Sequence, residues 1–600
     1  MKKRVADIVT ETLIENGITQ NFCVVGGGAM HLNNAFELVR GKLDTVYNHH
    51  EQACAMAATA YGRLSGRMAS VCVTSGPGGI NTFNGVQGAY VDSVPMIVIC
   101  GHPRYDTTVE ACGLNLRSRG VQENDAVSQV KNITKYAKLV KDPKDVKKEV
   151  QYACDMAMDG RRGPVWLSIP LDVQGALVDE EELTPCVPFK GTAPIPESEI
   201  REAFEELSRA KRPCILTGSG IRTSGSMEAY RNFTKKVRIP IVGGCYAQDT
   251  NVYGDELYYG ESGSVGPRCG NFILQSADMI LVLGNSLSTS QTGFNVEGFA
   301  PDAKIIMVDA TADEGRKPGL KVSKILEGDL KDFFAACEKM DIRLNACDDW
   351  IAHCDMVRNH EKLPRYEVLN ILPEGDGKEA VHPAQFWKKF FDYIEDDAII
   401  AHGNSSCCIT LLQEGVKTRQ QRLTINYHCG SMGDDLPAAV GAATLGEGTV
   451  YCVSGDGSFM LNLQELQTIA LHKYPIKIVV FNNNGYDNIR NTCVNYFGGL
   501  KNGCDPESGV SMPDFGKVAS AFEMPYYRVD SVNALEAGLE WMKKTDGPCF
   551  LEIQEIKAKK RAPVLASVMD ENGVFKTPQL HVMTPLLEED LVNKFIYTEK

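Results

Sequence analysis

The chain has 600 residues, 77 of them acidic and 62 basic, and a net charge of −15 at pH 7. That length calls for three or four domains of roughly 100–200 residues each. The acidic balance, spread along the chain, argues against nucleic acid or an anionic membrane as a partner. Met1-Lys2-Lys3-Arg4 leads into no long apolar segment, so neither a signal peptide nor a membrane span is expected. The 20 cysteines include no C-x-x-C pair, and many lie in apolar runs, as Cys72, Cys100 and Cys452 do. They read as buried reduced thiols of a cytoplasmic protein.

Residues 1–185 alternate strand and helix patterns. Phe22-Cys23-Val24-Val25 reads as a strand closing at Gly26-Gly27-Gly28, and Thr45-Val46-Tyr47 as a second; a helix of small residues follows Glu51. A third strand over 69–74 closes at Ser75-Gly76-Pro77-Gly78-Gly79, and a fourth covers 94–100. Such alternation predicts a parallel sheet covered on both faces, with the glycine clusters at its carboxyl edge, where ligands bind. Residues 175–197, rich in proline and acids, read as a linker. A second α/β block spans 198–340, with strands at 214–216, 279–283 and 304–309. Residues 341–380 are charged and read as an irregular connection. The third block, 382–555, shares the strand–glycine–helix style of the first. The tail, 556–600, has weak periodicity and reads as a lid or a subunit contact. The fold class is α/β, with three doubly wound parallel-sheet domains.

The third block holds the most informative stretch. Val450-Tyr451-Cys452-Val453 is a buried-strand pattern, and Gly455-Asp456-Gly457-Ser458 follows it. Phe459, Leu463, Leu466 and Ala470 then recur at helical spacing. A second β-rich run, 476–481, ends at Asn482-Asn483-Asn484-Gly485-Tyr486. Both strand ends therefore present polar residues at one sheet edge. Asp456 and Asn483 offer hard oxygens that suit Mg2+ bridging to phosphate. Gly457 and Ser458 place N–H groups at a helix N-terminus, where an anion is welcome. Gly485 lets the backbone approach a ligand. A Gly-Asp-Gly turn alone has no such meaning; at the two ends of one strand–helix–strand unit, these residues read as a metal–diphosphate site.

This pair of ends resembles the thiamine-diphosphate (ThDP) motif of the ThDP-dependent decarboxylase and carboligase family, Gly-Asp-Gly at one end and Asn-Asn at the other. The likeness covers nearly the whole chain and is closest to acetolactate-synthase-like proteins, in particular those associated with polysaccharide and branched-sugar pathways. It implies the ThDP-enzyme architecture: a pyrimidine-binding domain (1–185), a central domain (198–340) and a diphosphate-binding domain (382–555). It implies Asp456, Asn483 and Gly485 as Mg2+ ligands, with Gly455, Gly457, Ser458 and Tyr486 around the cofactor. Gly403, Asn404 and Ser405, after a strand at 398–401, look like the diphosphate loop. Gly430-Ser431-Met432-Gly433 resembles the segment that holds the pyrimidine, Gly430 and Met432 by their backbones, with the Met432 side chain wedging the cofactor into its bent shape.

Tyr47-Asn48-His49-His50-Glu51-Gln52, followed by Tyr61-Gly62-Arg63, resembles the family's catalytic-glutamate segment. Read alone, Glu51 is an acid in a first helical turn, favourable against the dipole. The resemblance implies a hydrogen bond from Glu51 to N1′ of the aminopyrimidine, and the small-residue helix predicts a tight, apolar setting for it. Gly26, Gly27, Thr74, Gly78, Asn81 and Gln122 match active-site positions, Gln122 among the catalytic groups. Val121 stands for the family's phenylalanine and opens room for an acceptor. His49 and His50 read as structural, and Lys135, which matches a family lysine, as a surface lysine.

Simple decarboxylases of the family carry a glutamate three residues after the motif's Gly-Tyr; here that position is Ile489, which cannot deliver a proton. The likeness therefore points to carboligation. A 2-oxo acid, pyruvate in the first instance, loses CO2, and its acyl unit joins a carbonyl acceptor: a second 2-oxo acid, giving acetolactate, or a keto-sugar. The alternatives are a non-ligating 2-oxo acid decarboxylase and a non-catalytic subunit on this fold. Acetolactate synthases also bind FAD through an Arg-Phe-Asp-Asp-Arg run. The matching stretch, 284–293, has serine at both arginine positions, which removes two diphosphate contacts, so flavin binding is expected to be weakened or lost. In the family the glutamate domain of one subunit faces the diphosphate domain of another, which implies a homodimer or homotetramer.

Overall fold

Three six-stranded sheets, each wholly parallel, carry the chain. The computed structural model describes residues 2–597 apart from 343, 346, 366, 373, 558, 560 and 570. The first sheet holds β1 (Gln20–Cys23), β2 (Asp44–Tyr47), β3 (Ala69–Val73), β4 (Met96–His102), β5 (Tyr136–Leu139) and β6 (Pro164–Pro170), in the order β2-β1-β3-β4-β6-β5. The second holds β7 (Pro213–Thr217), β8 (Ile241–Gly243), β9 (Tyr258–Glu261), β10 (Met279–Leu283), β11 (Lys304–Asp309) and β12 (Val322–Glu327), in the order β9-β8-β7-β10-β11-β12. The third holds β13 (Ile399–His402), β14 (Arg422–Thr424), β15 (Val450–Gly455), β16 (Ile476–Asn482), β17 (Tyr526–Val529) and β18 (Cys549–Gln554), in the order β14-β13-β15-β16-β18-β17. The outer two sheets thus share one strand order.

Central strands such as Met96–His102 are buried throughout. Runs of this kind belong to strands covered on both faces, and parallel neighbours need crossovers, mostly helical. Each sheet has a point where crossovers from neighbouring strands leave in opposite directions, and a crevice opens there at the carboxyl ends of the strands. In the first sheet this point lies between β1 and β3, whose ends are followed by the segments 26–28 and 74–78. In the third it lies between β13 and β15, which end at 403–405 and 455–458. Sheet topology thus gathers the glycine-rich segments into two crevices.

The outer domains meet through α1 (Glu51–Ser65), flanked by α2 (Phe83–Val91), and α3 (Asp435–Ala443), while α4 (Asp487–Tyr496) follows the second polar strand end of the third sheet. The alanine-rich α1 packs on α3, so closely that a Cβ on Gly441 would lie 2.1 Å from the Ala57 carbonyl oxygen. Buried Glu465 adds a polar tie between the outer domains, accepting from Asn48 Nδ2 (2.8 Å) and from the His49 N–H (3.0 Å).

Three expectations change. The helical pattern from Phe459 to Ala470 is two helices, Asp456–Phe459 and Glu465–His472. The break sits at Asn462, whose Nδ2 donates to the Gly433 carbonyl (2.6 Å) rather than facing solvent. The first strand stops at Cys23, and Val25 is exposed. The stretch 341–380 is not irregular throughout: it contains the helices Asp348–Arg358 and Glu367–Asn370. Trp350, Cys354 and Val357 form the buried face of the first, and Trp350 Nε1 donates to the Pro213 carbonyl (3.0 Å). The described part of the tail runs over the second domain. Phe595 packs on Phe272 (ring centroids 5.3 Å). Buried Arg268 pairs with Glu367 (2.8 Å) and donates to the carbonyls of Met583 (3.1 Å) and Pro585. A hairpin, Val568–Met569 with Phe575–Lys576, brings Phe575 to Tyr496 of α4. Among the described residues no helix is long and apolar enough to cross a membrane.

Candidate active site

The richer half of the site is built on the third sheet. Asp456 is buried just past β15. Its Oδ1 accepts the Gly457 N–H (2.8 Å), and its Oδ2 accepts those of Asn483 (3.0 Å) and Gly485 (3.1 Å). One carboxylate thereby joins the two polar strand ends. Burial pushes its pKa up to about 7, against the pull of these N–H groups; a divalent cation beside it would favour the ionised form. A carboxylate has about four acceptor positions, so one remains. Asn483 gives its Nδ2 to Glu555 (2.7 Å), and its Oδ1 accepts from the Arg490 guanidinium (2.7 Å), leaving one lone pair. Among the described residues no cluster of three His, Cys, Asp or Glu side chains could hold a metal. Carboxylate, amide oxygen and the Gly485 carbonyl form a mixed, hard donor set. It fits a Mg2+ ion that takes its other ligands from phosphate and water.

The surrounding loops fit an elongated anion. Gly485 has φ +142°, and a Cβ there would meet the Cys504 carbonyl oxygen at 2.1 Å. The Tyr486 ring lies on Gly457, where a Cβ would sit 2.3 Å from a ring carbon. Ser405 takes φ +79° and ψ −143° at the N-terminus of the helix Ser406–Glu414, a strained backbone for any residue but glycine. Its neighbours hold it: Asn404 Nδ2 donates to the Ser431 carbonyl (3.0 Å), and Gly403 abuts Asp435. The first N–H groups of a helix have no partner within it, which makes such a start a setting for phosphate. Around Gly27, Gly430 and Gly455 no atom lies within 4 Å of where a Cβ would be, so these backbones are open to a ligand. Ser458 departs from a simple anion contact. Its hydroxyl donates to Asp435 (2.7 Å) and accepts from the Gly433 N–H (2.8 Å), which leaves its backbone N–H for a phosphate. Met432 is exposed beside this loop.

The second half belongs to the first sheet. His50 caps α1, its Nδ1 accepting the Gln52 N–H (3.1 Å). Glu51 Oε2 accepts from Asn81 Nδ2 (3.0 Å), and a Cβ on Gly78 would lie 3.4 Å from Glu51 Oε1 and 2.8 Å from Thr74. The Gly28 N–H donates to Thr74 Oγ1 (3.0 Å), and Gly26 is pressed onto the same side chain. Glu51, Gly27, Thr74, Gly78 and Asn81 therefore form one cluster. Gln122 joins it by its backbone: it has φ +56°, and Gly76 packs on its carbonyl. The tight apolar setting expected for Glu51 is not supplied by one chain. Glu51 is half-buried, because the buried face of α1 begins only at Ala53. Among the described residues no hydrogen bond joins the Glu51 carboxylate to the third domain. Nor is Lys135 a surface lysine. It sits at the opposite edge of the sheet and donates to the Asp159 carbonyl (2.6 Å), with burial lowering its pKa to about 8.

Sequence reasoning missed Asp435, Arg490 and Glu465. The only signal for the first was Asp434-Asp435 directly after the glycine segment. Burial and the neighbouring Asp435 push Asp434 up to about 7.

Between the first and second domains an open cleft is lined by Arg161 and Arg162 on one side and by Ser219, Ser286 and Asp309 on the other. Ser286 and Ser290 stand where flavin-binding arginines were looked for. Ser290 Oγ is taken by the Tyr246 hydroxyl (2.7 Å), the Ser286 carbonyl by Lys317, and Arg161 is paired with Glu314. Neither serine supplies the cationic contact that an arginine there would give a flavin diphosphate.

Three family models match the chain. They describe thiamine pyrophosphate enzymes: the N-terminal TPP binding domain over residues 3–129, the central domain over 200–336 and the C-terminal TPP binding domain over 405–553. The chain is 30% identical over 552 residues to the large subunit of acetolactate synthase isozyme 2 of Escherichia coli K12, covering 91% of this chain and 95% of that one. It is 30% identical over 593 residues to the chloroplastic acetolactate synthase 1 of Zea mays (95% and 88% covered). Over 572 residues it is 28% identical to the acetolactate synthase large subunit of Lactococcus lactis (93% and 94% covered).

Proposed function

Because this chain belongs to the thiamine pyrophosphate enzymes, as an acetolactate-synthase-like member, we propose that it is a Mg2+-dependent carboligase. It decarboxylates a 2-oxo acid, pyruvate in the first instance, and transfers the acyl unit to a carbonyl acceptor. One observation carries the reading: the Asp456 carboxylate gathers the N–H groups of Gly457, Asn483 and Gly485 at the reversal point of the third sheet and keeps one acceptor position for a cation.

When bound, ThDP supplies the carbon nucleophile and electron sink that decarboxylation needs. The chain supplies the rest. Asp456, Asn483 and the Gly485 carbonyl hold Mg2+. The N–H groups of Gly457, Ser458 and the 403–405 loop take the diphosphate, and Gly455 and Tyr486 line it. Gly430 and Met432 hold the pyrimidine. Glu51, steadied by Asn81, holds a proton at pyrimidine N1′, the placement general acid–base work requires. Gly26, Gly27, Thr74, Gly78 and Gln122 shape the space for substrate, and the small Val121 leaves room for an acceptor. Ile489, exposed in the first turn of α4, offers no acid where a decarboxylase would need one, which favours ligation. The acceptor is a second 2-oxo acid or a keto-sugar. Two chains complete two sites, since Glu51 of one chain needs the Asp456 crevice of another; a homodimer is the minimum, and a homotetramer extends it. The buried free thiols suit a reducing cytoplasm.

The test is incubation of the purified chain with pyruvate, ThDP and Mg2+, with CO2 counted and products weighed by mass spectrometry over a panel of keto acids and keto-sugars. CO2 matched by a C–C product is expected. Acetaldehyde as the sole product would refute ligation, and no CO2 from any 2-oxo acid would refute the reaction.

A further inference from the structure

The two acids that follow Gly-Ser-Met-Gly, Asp434 and Asp435, have no role in the function proposed above. Asp435 is 1% exposed, at the first turn of α3. Its Oδ1 accepts the Leu436 N–H (2.9 Å). Its Oδ2 accepts two hydroxyls, Ser454 Oγ at 2.6 Å and Ser458 Oγ at 2.7 Å. The same oxygen backs onto Gly403, where a Cβ would lie 2.6 Å away. Ser458 Oγ passes the connection on by accepting the Gly433 N–H (2.8 Å). Gly433 is held from its other side by Asn462 (2.6 Å).

Three segments thus meet at one carboxylate: 403–405, 430–433 and 454–458. They come from separate parts of the third domain, and no strand pairing ties 430–433 to the other two. We propose that Asp435 is a positioning residue that sets the distance between the segment holding the pyrimidine and the segment holding the diphosphate. It acts through Ser458, whose hydroxyl is the link between Asp435 and Gly433. A buried carboxylate suits the task, since hydrogen bonds to a charged acceptor are short and strong, and losing one strands a buried donor. The inference rests on the reading of the site proposed above.

A ligand that spans both segments feels their spacing; a ligand that occupies only the diphosphate end does not. The experiment is calorimetric titration of the full chain, in Mg2+, with ThDP and separately with inorganic pyrophosphate. The variants are Asp435→Asn and Ser458→Ala, with Ser454→Ala as control. The control removes a buried hydroxyl from the same carboxylate oxygen but does not touch Gly433. Asp435→Asn and Ser458→Ala should raise the Kd for ThDP about tenfold or more and raise that for pyrophosphate by a clearly smaller factor. Ser454→Ala should move neither Kd as far. Equal losses for both ligands, or no loss for either, or a Ser454→Ala effect equal to that of Ser458→Ala, would overturn the proposal while leaving the functional reading in place. A wild-type chain that binds neither ligand would overturn that reading and the positioning role with it.

Discussion

Asp456→Asn keeps the shape of the side chain and turns one oxygen into an NH2. With the amide oxygen at the Oδ1 place, the N–H groups of Asn483 and Gly485 would both face another donor. With the oxygen at the Oδ2 place, those two bonds survive as neutral ones, and the Gly457 N–H loses its acceptor. The second arrangement is the less damaging. It loses one hydrogen bond and weakens two from charged to neutral, each change worth about 1 kcal/mol, or about 3 kcal/mol together. The variant's loops would relax from this arrangement and have to be restored to it for cofactor to bind, so the loss falls on cofactor affinity, about a hundredfold in Kd. Removal of the anionic metal ligand adds to it. Titration calorimetry with ThDP at fixed Mg2+ reads the affinity, and a thermal shift on adding ThDP and Mg2+ reads it independently. A variant that binds ThDP as tightly as the parent, with the same Mg2+ dependence, would refute the assignment of Asp456 to the metal and to the junction of the two strand ends.

Glu51→Gln should keep ThDP affinity within a few-fold and lower CO2 release from pyruvate by about 10²–10⁴-fold, the usual worth of a placed acid–base group; unchanged turnover at saturating cofactor would remove Glu51 from the chemistry. Ile489→Glu should divert product from the ligated compound to acetaldehyde, checked by gas chromatography of the headspace; an unaltered product ratio would mean that this position does not decide the outcome. Burial raises the pKa of Glu261 from 4.5 to about 8. The folded chain therefore holds a proton there that the unfolded chain releases. This contribution to stability is full below about pH 4.5 and is lost as pH rises through about 8, by at most roughly 1.4 kcal/mol per pH unit. Glu261→Gln should flatten the dependence of Tm on pH between about 5 and 8, measured by differential scanning fluorimetry; parallel curves for the two proteins would contradict it.

Residue order alone determined the strands, the glycine loops and the two polar ends of the 455–486 unit. Those features are encoded by neighbours along the chain: apolar runs that only a doubly covered strand can hide, and glycines where a backbone must turn or open to a ligand. The same local reading failed where a distant partner decides. Asn462 interrupts a helical pattern because Gly433 offers its carbonyl, and Trp350 makes a helix of a charged stretch because Pro213 lies beneath it. Nothing in that reading marked Asp435, which receives hydroxyls from two residues of another segment. Which loops meet is set by the strand order of each sheet, and that order is chosen by packing between parts of the chain tens of residues or more apart. Hydrogen bonds reach only about 3 Å, so partners that far along the chain become partners only once the sheets have brought them together.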